Sequence, residues 1–481
     1  MIHYASISLA SWLFVLLIVI YAATIISCIV VVLSENRNPI RSLAWVLALI
    51  FLPVVGLIFY MFFGRSLRNL HMISRHNKRR LLERNKRVNV DLNKVCLPEE
   101  SRQIIKLAYA LARTPYTQNN QITVFTRGAD KFDALKHDIL AASKYIYLQY
   151  YIFLDDELGR EIASLLIKKA AQGVDVKVIY DHVGSFSAKN RFFKQMRDNG
   201  VDVHPFFRVS FPQLANRINW RNHRKIVVID GAVGYLGGMN IANRYIDEPP
   251  DNRSWRDTHF RVTGDIVTQL LYSFAVDWNF MGNPIPANIF KIHKPSDPNN
   301  VGMQLVTSGP NDPHDNLTLC YLKAIGSAKK RIYIQTPYFL PTDALLHALE
   351  AASMSQIDVR IMIPRVSDSR LLQLASFSYV TQCLRTGIKV YLYEPGMLHA
   401  KAMIIDDNIS CVGSTNFDFR SFENNFEDSL FVYDNDFNIL QRDIFFSDIE
   451  SCTKLTYAGW HKRPRRQRLL ESIVRLMSPV L

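Results

Sequence analysis

Residues 222–240 read NHRKIVVIDGAVGYLGGMN, and residues 399–416 read HAKAMIIDDNISCVGSTN. In each stretch a histidine, a lysine two positions on and an aspartate five further on surround an apolar run. One copy alone would be read as an ordinary buried strand with polar flanks. Chance does not readily produce two copies, each followed seven residues after the aspartate by G-[GS]-x-N. The doubled motif therefore indicates a function.

The two motifs belong to a longer internal repeat. The matching segments are KYIYLQYYIF (144–153) with KRIYIQTPYF (330–339), GVDVKVIYD (173–181) with QIDVRIMIP (356–364), and NGVDVHPF (199–206) with TGIKVYLY (386–393). Strands alternate with helical stretches in each half, which predicts an α/β layered fold twice over. A period of about 180 residues is too long for a solenoid. We therefore expect two homologous domains packed with their motifs face to face.

The chemistry available to the motif favours phosphate over metal. On a strand, residues two apart point to the same face, so each His-Lys pair converges on one patch. A neighbouring ammonium makes the histidine a poor metal ligand, and no carboxylate stands at ligand spacing, so we expect no metal cofactor. Lysine and a glycine-rich turn suit phosphate, which one histidine can attack while the other protonates the leaving oxygen. The candidate site residues are His223, Lys225, His399 and Lys401.

The composition favours anionic partners and a reducing compartment. The chain has 481 residues, a formal net charge of +14 and a pI near 9.4. Such a balance suits nucleic acid, a phospholipid surface or a phosphorylated substrate. The six cysteines are scattered without C-x-x-C spacing, so neither a disulfide framework nor a zinc cluster is indicated.

The first sixty-five residues predict a two-helix transmembrane hairpin. The run Ala10–Leu33 carries no charge, and a second apolar run, Leu43–Phe63, contains Pro53 and Gly56. As helices both would be about 30 Å long or longer, enough to cross a bilayer. A signal peptide fits poorly because the first run is too long and MIHYASIS has no Lys or Arg. A buried soluble hairpin is the weaker alternative.

Charge around these runs predicts the orientation. The loop at 34–42 contains two arginines, whereas the run at 64–87, GRSLRNLHMISRHNKRRLLERNKR, is far denser in Lys and Arg. The positive-inside rule then places the long C-terminal portion in the cytoplasm. The basic run could also attract anionic headgroups of the inner leaflet, or serve only as a topology signal on a solvated helix face.

The sequence resembles the phospholipase D superfamily, whose signature is the doubled H-x-K-x4-D with a downstream G-[GS]-x-N. Within it, residues 35–65, IQTPYFLP (334–341) and RLLESIVRLMSPVL (468–481) are similar to bacterial cardiolipin synthases. The resemblance implies an inner-membrane enzyme that transfers phosphatidyl from one phosphatidylglycerol to another. The products would be cardiolipin and glycerol, formed through a phosphohistidine without metal or nucleotide.

The resemblance also implies a role for each matching residue. The catalytic set is the two motifs: His223, Lys225, Asp230, His399, Lys401 and Asp406. Within it the aspartates are expected to hold strand and turn, and His223 is assigned as nucleophile. The phosphate-binding residues would be Lys225, Asn240, Lys401 and Asn416. Asp257 and Glu427, which stand at equivalent places in the two halves, would orient the imidazoles.

The predicted domains are a transmembrane hairpin (1–65), a basic linker (66–120) and two phospholipase D-like α/β/α domains (121–300 and 301–481). Expected partners are phosphatidylglycerol and an anionic membrane surface, with no nucleic acid. A hydrolytic phospholipase D or another phosphatidyltransferase stays open because only the acceptor differs. A superfamily nuclease would suit the charge but has little need of two spans. A silent membrane scaffold is disfavoured by the intact motifs.

Two segments have two interpretations each. Residues 204–220, HPFFRVSFPQLANRINW, could form a lipid-facing lip, or Phe206, Phe207 and Phe211 could pack in a core. The tail at 460–481 joins a basic cluster to apolar residues at helical spacing. It could lie on an anionic membrane surface or dock on its own protein.

Overall fold

The structure is a computed structural model that describes residues 2–34, 39–60, 64, 90, 92–208, 220–246, 254–281, 285, 289–290 and 300–479. The chain divides into an N-terminal unit, which holds the first helices, and a larger unit, which holds both histidine motifs. The basic run at 65–87 and the loop residues 35–38 lie outside the described residues.

The N-terminal unit contains α1 (Ile2–Ser34), α2 (Pro39–Phe51) and α3 (Pro53–Phe59). Among the described residues, Ser11–Ser34 is the one helical segment long and apolar enough to cross a membrane. The second apolar run is divided at Leu52, whose φ of −126° and ψ of 62° are not helical. Proline disfavours a helical residue before it and has no N–H to donate. The predicted two-span hairpin is therefore not confirmed.

The helices of this unit pack against one another. Val32 of α1 is buried with Leu49 of α2 and with Tyr60, whose ring lies 5.5 Å from that of Trp45. The break before α3 brings backbone close to backbone, since a Cβ on Gly56 would lie 2.4 Å from the Ala48 carbonyl oxygen. Glycine is required at that contact.

The larger unit begins with α4 (Glu99–Ala112), and its first half forms a seven-stranded sheet in the order β1-β9-β7-β6-β2-β3-β4. The strands of this half are β1 (Asn120–Phe125), β2 (Tyr145–Tyr150), β3 (Asp175–Asp181), β4 (Asp202–Phe206), β5 (Arg221–Asn222), β6 (Ile226–Ile229), β7 (Val233–Gly237), β8 (Ser254–Arg256) and β9 (His259–Gly264). The helices are α5 (Gly128–Ala141), α6 (Glu157–Ala171), α7 (Asn190–Asp198) and α8 (Val267–Phe280). Within the seven-stranded sheet β2, β3 and β4 are parallel, and the remaining neighbours pair antiparallel.

The second half repeats this sheet in the order β10-β19-β17-β16-β11-β13-β14, with β20 added at the edge. Its strands are β10 (Met303–Ser308), β11 (Arg331–Gln335), β12 (Phe339–Leu340), β13 (Asp358–Pro364), β14 (Lys389–Tyr393), β15 (Gly396–Leu398), β16 (Ala402–Ile405), β17 (Ile409–Gly413), β18 (Phe417–Asp418), β19 (Asn425–Val432) and β20 (Cys452–Lys454). Its helices are α9 (Asn316–Ile325), α10 (Asp343–Met354), α11 (Arg370–Arg385), α12 (Phe419–Glu423), α13 (Asn435–Glu450), α14 (Tyr457–His461) and α15 (Arg465–Arg475). The repeated α/β fold predicted from the sequence is confirmed.

Helices cover both faces of the first sheet, as alternation along β2 shows. Ile146 and Leu148 belong to the core that also contains residues of α5, α6 and α7. Tyr147, between them, stacks on Phe274 of α8 with ring centroids 5.1 Å apart. Successive side chains of a strand point to opposite faces, so the sheet is sandwiched between helical layers.

Helix α4 belongs to the core of the second half. Its Ile104, Ile105 and Ala108 are fully buried in the same cluster as Val306 and Ile332 of the second sheet. The sequence predicted a basic linker over 66–120 and did not indicate this helix. The amphipathic helix is nevertheless anchored to a sheet about 200 residues further along the chain, since Gln304 donates to the Ile105 carbonyl.

The two halves exchange short strands at the motifs. β5 pairs in parallel with the start of β19 in the second half, and β15 pairs in parallel with β8 in the first half. Directly after β5 and β15, the chain enters β6 and β16 of its own sheet. The His-x-Lys residues 223–225 and 399–401 lie in these transitions, at the boundary between the halves.

Candidate active site

Each motif histidine binds a carboxylate from the opposite half. His223 Nδ1 lies 2.9 Å from Oε1 of Glu427, and His399 Nδ1 lies 2.6 Å from Oδ2 of Asp257. Both carboxylates have no solvent exposure, and the histidines are 8% and 6% exposed. Hydrogen bonds from both Nδ1 atoms leave the two Nε2 atoms as the nitrogens available for chemistry.

The exchanged strands explain this crossed pairing. The His223 N–H donates to the Phe426 carbonyl at 2.9 Å, and the His399 N–H donates to the Arg256 carbonyl at 2.7 Å. In each case the next residue along the opposite strand is the carboxylate that meets the imidazole. These backbone hydrogen bonds therefore place each carboxylate beside the imidazole of the opposite half.

Each lysine contacts its histidine through the backbone carbonyl, and not through alternation along a strand as predicted. We expected alternation along a strand, but 223–225 and 399–401 lie between strands. Lys225 Nζ donates to the carbonyl of His223 at 2.6 Å, and Lys401 Nζ donates to that of His399. Lys401 Nζ also lies 2.8 Å from His399 Nδ1. Both side chains are buried, so the ammonium groups stand beside the imidazoles without water to screen them.

The carboxylates have different surroundings in the two halves. Glu427 accepts a hydrogen bond from the hydroxyl of Ser414 and one of 3.1 Å from the amide of Asn425. Gly238 takes the place of Ser414 in the first motif, and a Cβ there would lie 2.1 Å from Asp257 Oδ1. The Gly/Ser difference between the motifs therefore follows from how closely each carboxylate approaches the turn.

Burial favours the neutral form of both imidazoles. It lowers the pKa of His223 to about 4, although the carboxylate of Glu427 opposes the shift. Burial followed by the charge of Lys401 lowers the pKa of His399 well below its ordinary value. Burial alone would raise the pKa of Glu427, but His223 and Lys225 hold it below the usual value.

The lysines and Asp257 titrate near neutral pH. Burial lowers the pKa of Lys225 to about 7 and that of Lys401 to about 8, with Glu427 and Asp257 respectively the largest opposing charges. Burial raises the pKa of Asp257 to about 6 against the attraction of Lys401. Perturbed groups gathered in this way are typical of catalytic sites.

The two motif asparagines differ in their partners. The Asn240 amide oxygen accepts from the N–H of Ile152 at 3.1 Å, and its amide nitrogen donates to the Tyr245 hydroxyl at 2.8 Å. That hydroxyl lies 3.4 Å from His399 Nδ1. Asn416 is also buried, and its Oδ1 has no hydrogen-bond partner among the described residues.

The motif aspartates bind backbone N–H groups at the far end of each motif strand, away from the histidines. Asp230 accepts bonds of 2.8 Å from the N–H groups of Ser143, Lys144 and Tyr145, where β2 begins. Asp406 accepts bonds of 3.0, 2.8 and 2.9 Å from the three residues at 329–331, where β11 begins. Neither carboxylate touches an imidazole among the described contacts. They tie the end of each motif strand to the start of its antiparallel neighbour, β2 or β11.

Aromatic rings that the sequence analysis missed wall both histidines. The ring of Tyr151 lies edge-on to His223 at 4.8 Å, and those of Trp255 and Tyr245 lie 5.0 and 5.8 Å from His399. Trp255 stands two positions before Asp257, and Tyr151 aligns with a proline in the second copy of the repeat. These positions were visible in the sequence, but their contact with the motifs depends on chain segments far apart.

The structure describes parts of the two segments that had two interpretations, 204–220 and the tail at 460–481. Phe206 and Phe207 are buried against Phe426, with centroids 5.3 and 5.8 Å apart, so core packing applies to them. Residues 209–219 lie outside the described residues. In helix α15 the side chain of Val474 is buried, whereas that of Ile473 is 52% exposed. One face of the helix therefore packs on the protein, and an apolar face stays exposed.

All six cysteines are free, and no three His, Cys, Asp or Glu side chains within the described ranges are grouped to hold a metal ion. The site instead offers two carboxylate-bound imidazoles and two buried ammonium groups. Such a set can bind a phosphodiester and exchange one of its ester oxygens.

Comparison with known proteins places this arrangement in a family. The family model described as "Cardiolipin synthase, PLD-like domain" matches residues 135–278 and 321–449, and "Phospholipase_D-nuclease N-terminal" matches residues 12–65. The fold and the doubled motif thus define a two-domain phospholipase D-like enzyme. The chain belongs to the cardiolipin synthase family of that superfamily.

Relatives and solved structures agree. The major cardiolipin synthase ClsA of Bacillus subtilis is 38% identical, covering 97% of this chain and 99% of the relative. The cardiolipin synthase of Oceanobacillus iheyensis is 39% identical, covering 96% and 98%. The crystal structure of phosphatidylserine synthase from Haemophilus influenzae matches with a TM-score of 0.60 at 17% identity, covering 80% of this chain and 100% of that chain. That last likeness shows a shared fold.

Proposed function

We propose that this chain is a cardiolipin synthase that transfers the phosphatidyl group of one phosphatidylglycerol to a hydroxyl of a second, releasing glycerol. The observation that carries the proposal is the crossed pair of histidine–carboxylate contacts, His223–Glu427 and His399–Asp257. Two imidazoles with matched carboxylates allow one to carry the phosphatidyl group while the other moves protons. The full-length likeness to cardiolipin synthases supports this acceptor over water or serine.

In the first step, Nε2 of His223 attacks phosphorus and the bond to the glycerol oxygen breaks. Its neutral form, with a pKa near 4, and its Nδ1 contact with Glu427 support this assignment. The carboxylate stabilises the positive charge that develops on the ring as the P–N bond forms. His399, once substrate binding has allowed its protonation, donates the Nε2 proton to the departing oxygen, and the ammonium of Lys401 beside its Nδ1 makes that proton more acidic.

The second step reverses the proton transfer. Nε2 of His399 takes the proton of the acceptor hydroxyl, the oxygen attacks phosphorus, and the P–N bond to His223 breaks. The buried ammonium groups of Lys225 and Lys401 hold the non-bridging phosphate oxygens, and the side chains of Asn240 and Asn416 support them. A bound phosphodiester also offsets the charge of Lys401, which otherwise depresses the pKa of His399. Substrate binding thereby helps protonate the acid.

Purified protein in detergent micelles with labelled phosphatidylglycerol as the only lipid, with chelator present, tests the function. We expect cardiolipin and free glycerol in equal amounts from the wild type and from His137→Ala, a control at an exposed histidine of α5. Phosphatidic acid as the only product would make the enzyme a phospholipase D. No turnover on any phospholipid, together with cleavage of DNA, would support the nuclease alternative.

We further propose that the N-terminal unit crosses the inner membrane twice, with the catalytic halves in the cytoplasm. Packing of Val32 on Leu49 and Tyr60, the basic run at 64–87 and the apolar face of α15 support this arrangement. A membrane-impermeant maleimide should label Ser34→Cys in intact cells and label the exposed Cys96 only after the membrane is opened. Equal labelling of both sites in intact cells would contradict two spans.

A further inference from the structure

Arg244 carries a guanidinium group that lies among aromatic rings and has no acidic partner among the described residues. Its carbon Cζ lies 4.5 Å from the ring of Trp255 and 5.8 Å from that of Tyr245. Its Nε is buried and has no hydrogen-bond partner in the described part of the chain. A buried donor left unpaired costs free energy, so a ligand that accepts from it is the expected remedy.

The rings that hold Arg244 are the same ones that wall His399. The imidazole lies 5.0 Å from the ring of Trp255, and the Tyr245 hydroxyl lies 3.4 Å from His399 Nδ1. Asp368 is an acidic side chain of this region whose charge also acts on His399, but its carboxylate accepts from the Tyr338 hydroxyl at 2.7 Å. Among the described residues it forms no ion pair with Arg244.

We propose that Arg244 binds the phosphodiester of the acceptor lipid while the terminal hydroxyl of that lipid meets His399. A guanidinium group stays charged and binds phosphate with two parallel N–H donors. The inference rests on the proposed function and names a subsite for its second substrate. This subsite takes a phosphate that does not react.

The offset of Arg244 from the reacting centre fits the geometry of a glycerol headgroup. In the proposed mechanism Lys225 and Lys401 bind the reacting phosphate, whereas Arg244 lies on the other side of the Trp255 and Tyr245 rings that contact both it and His399. In phosphatidylglycerol three carbons separate the terminal hydroxyl from the phosphate. An acceptor whose hydroxyl gives its proton to Nε2 of His399 therefore has its own phosphate displaced toward Arg244. The subsite favours an anionic acceptor over water.

Two acceptor substrates distinguish binding of the acceptor phosphate by Arg244 from a general role of Arg244 in catalysis. Transfer of phosphatidyl to ethanol requires His399 but offers no second phosphate. For Arg244→Gln we expect cardiolipin formation to fall about tenfold or more, as for loss of a charge-assisted bond, with phosphatidylethanol formation from the same donor within about twofold of wild type. Arg244→Lys should fall between the two, because it keeps the charge and loses the planar fork.

Arg360→Gln is the matched control. Its guanidinium also lies over aromatic rings, 5.2 Å from Tyr333 and 5.1 Å from Phe446, but it pairs with Asp358 at 2.8 Å where β13 begins. This variant should leave the ratio of cardiolipin to phosphatidylethanol unchanged. Equal losses on both acceptors in Arg244→Gln and Arg244→Lys, or no loss in either, would overturn the inference. A wild type that forms phosphatidylethanol but no cardiolipin would instead overturn the proposed function.

Discussion

The two halves of the larger unit share one topology, yet their histidines stand in different surroundings. His223 faces a glutamate that Ser414 and Asn425 also bind, and the pKa of Glu427 is held low. His399 faces an aspartate whose pKa burial raises to about 6, with Lys401 at its Nδ1. The repeated fold provides the same framework twice, whereas the side chains around each imidazole set its role in the reaction.

The crossed carboxylates make this difference a property of the pair. Neither half holds a complete histidine–carboxylate unit, because each ring partner arrives on a strand of the other half. A change in one half therefore acts on the histidine of the other.

Replacing either histidine by alanine should lower cardiolipin synthesis about a thousandfold or more, because nucleophile and acid act as a unit. The two variants should differ on a phosphate-labelled phosphatidyl donor with a p-nitrophenol leaving group, which needs no proton to depart. His399→Ala should then accumulate labelled protein, and His223→Ala should not. Labelled protein in His223→Ala but not in His399→Ala would make His399 the nucleophile and His223 the acid.

Neutralising the carboxylates should separate the two steps. Glu427→Gln removes the anion that stabilises positive charge on His223, so the burst of p-nitrophenol should slow by roughly 100-fold or more. Asp257→Asn should leave that burst within a few-fold and slow steady turnover instead. Both effects are measured by rapid mixing. A slower burst in Asp257→Asn than in Glu427→Gln would contradict the assignment.

Substituting Gly238 by serine and Ser414 by glycine should lower activity to different extents. In Gly238→Ser the new Cβ would collide with the Asp257 carboxylate, so we expect activity to fall roughly 100-fold. Ser414→Gly only removes a hydrogen bond to Glu427, which corresponds to about tenfold. Steady-state rates, with melting temperatures as the control for folding, decide between them. Equal losses would mean that the two carboxylates tolerate the turn alike.

The buried charges predict a narrow pH profile of kcat/KM, which reports the free enzyme. As the pH rises through the pKa values of Lys225 and Lys401, about 7 and about 8, the ammonium groups that we propose bind phosphate become neutral. Activity should then fall about tenfold or more per pH unit. As the pH falls below about 6, Asp257 becomes protonated and stops supporting His399. Asp257→Asn should remove this acid limb and keep the alkaline one.

The motif aspartates should show the smallest effect on chemistry and an equal effect in both halves. Burial alone would raise the pKa of Asp230, but the N–H groups of Tyr145, Ser143 and Lys144 hold it below its usual value. Its stabilising contribution is therefore present above pH about 4 and is lost as the pH falls through the lowered pKa. Asp230→Ala and Asp406→Ala should each cost about 1–3 kcal/mol of stability.

Calorimetry at neutral pH measures the stability of both aspartate variants. Rates at a temperature where they stay folded should be within a few-fold of wild type. A thousandfold loss of activity without a lower melting temperature would give these aspartates a direct part in the chemistry.

Much of the site could be predicted from the sequence because its residues lie in short motifs. The repeat, the two His-x-Lys pairs and the carboxylates at equivalent places were all visible in linear order. Sequence did not show that Glu427 serves His223 and Asp257 serves His399, since pairing within each half was equally consistent with the spacing. Helix α4 was missed for a similar reason, because its apolar face packs on a sheet formed much later in the chain.

Linear order alone identifies the imidazole, ammonium and carboxylate side chains of the repeated motifs and the apolar N-terminal helix. Which of these side chains meet one another depends on the folded chain. Strand exchange between the halves sets the histidine–carboxylate partners, and burial moves the pKa values of Asp257, Lys225 and Lys401 toward neutrality. Such shifts depend on the loss of water and on charges brought close in space, which no spacing along a chain encodes.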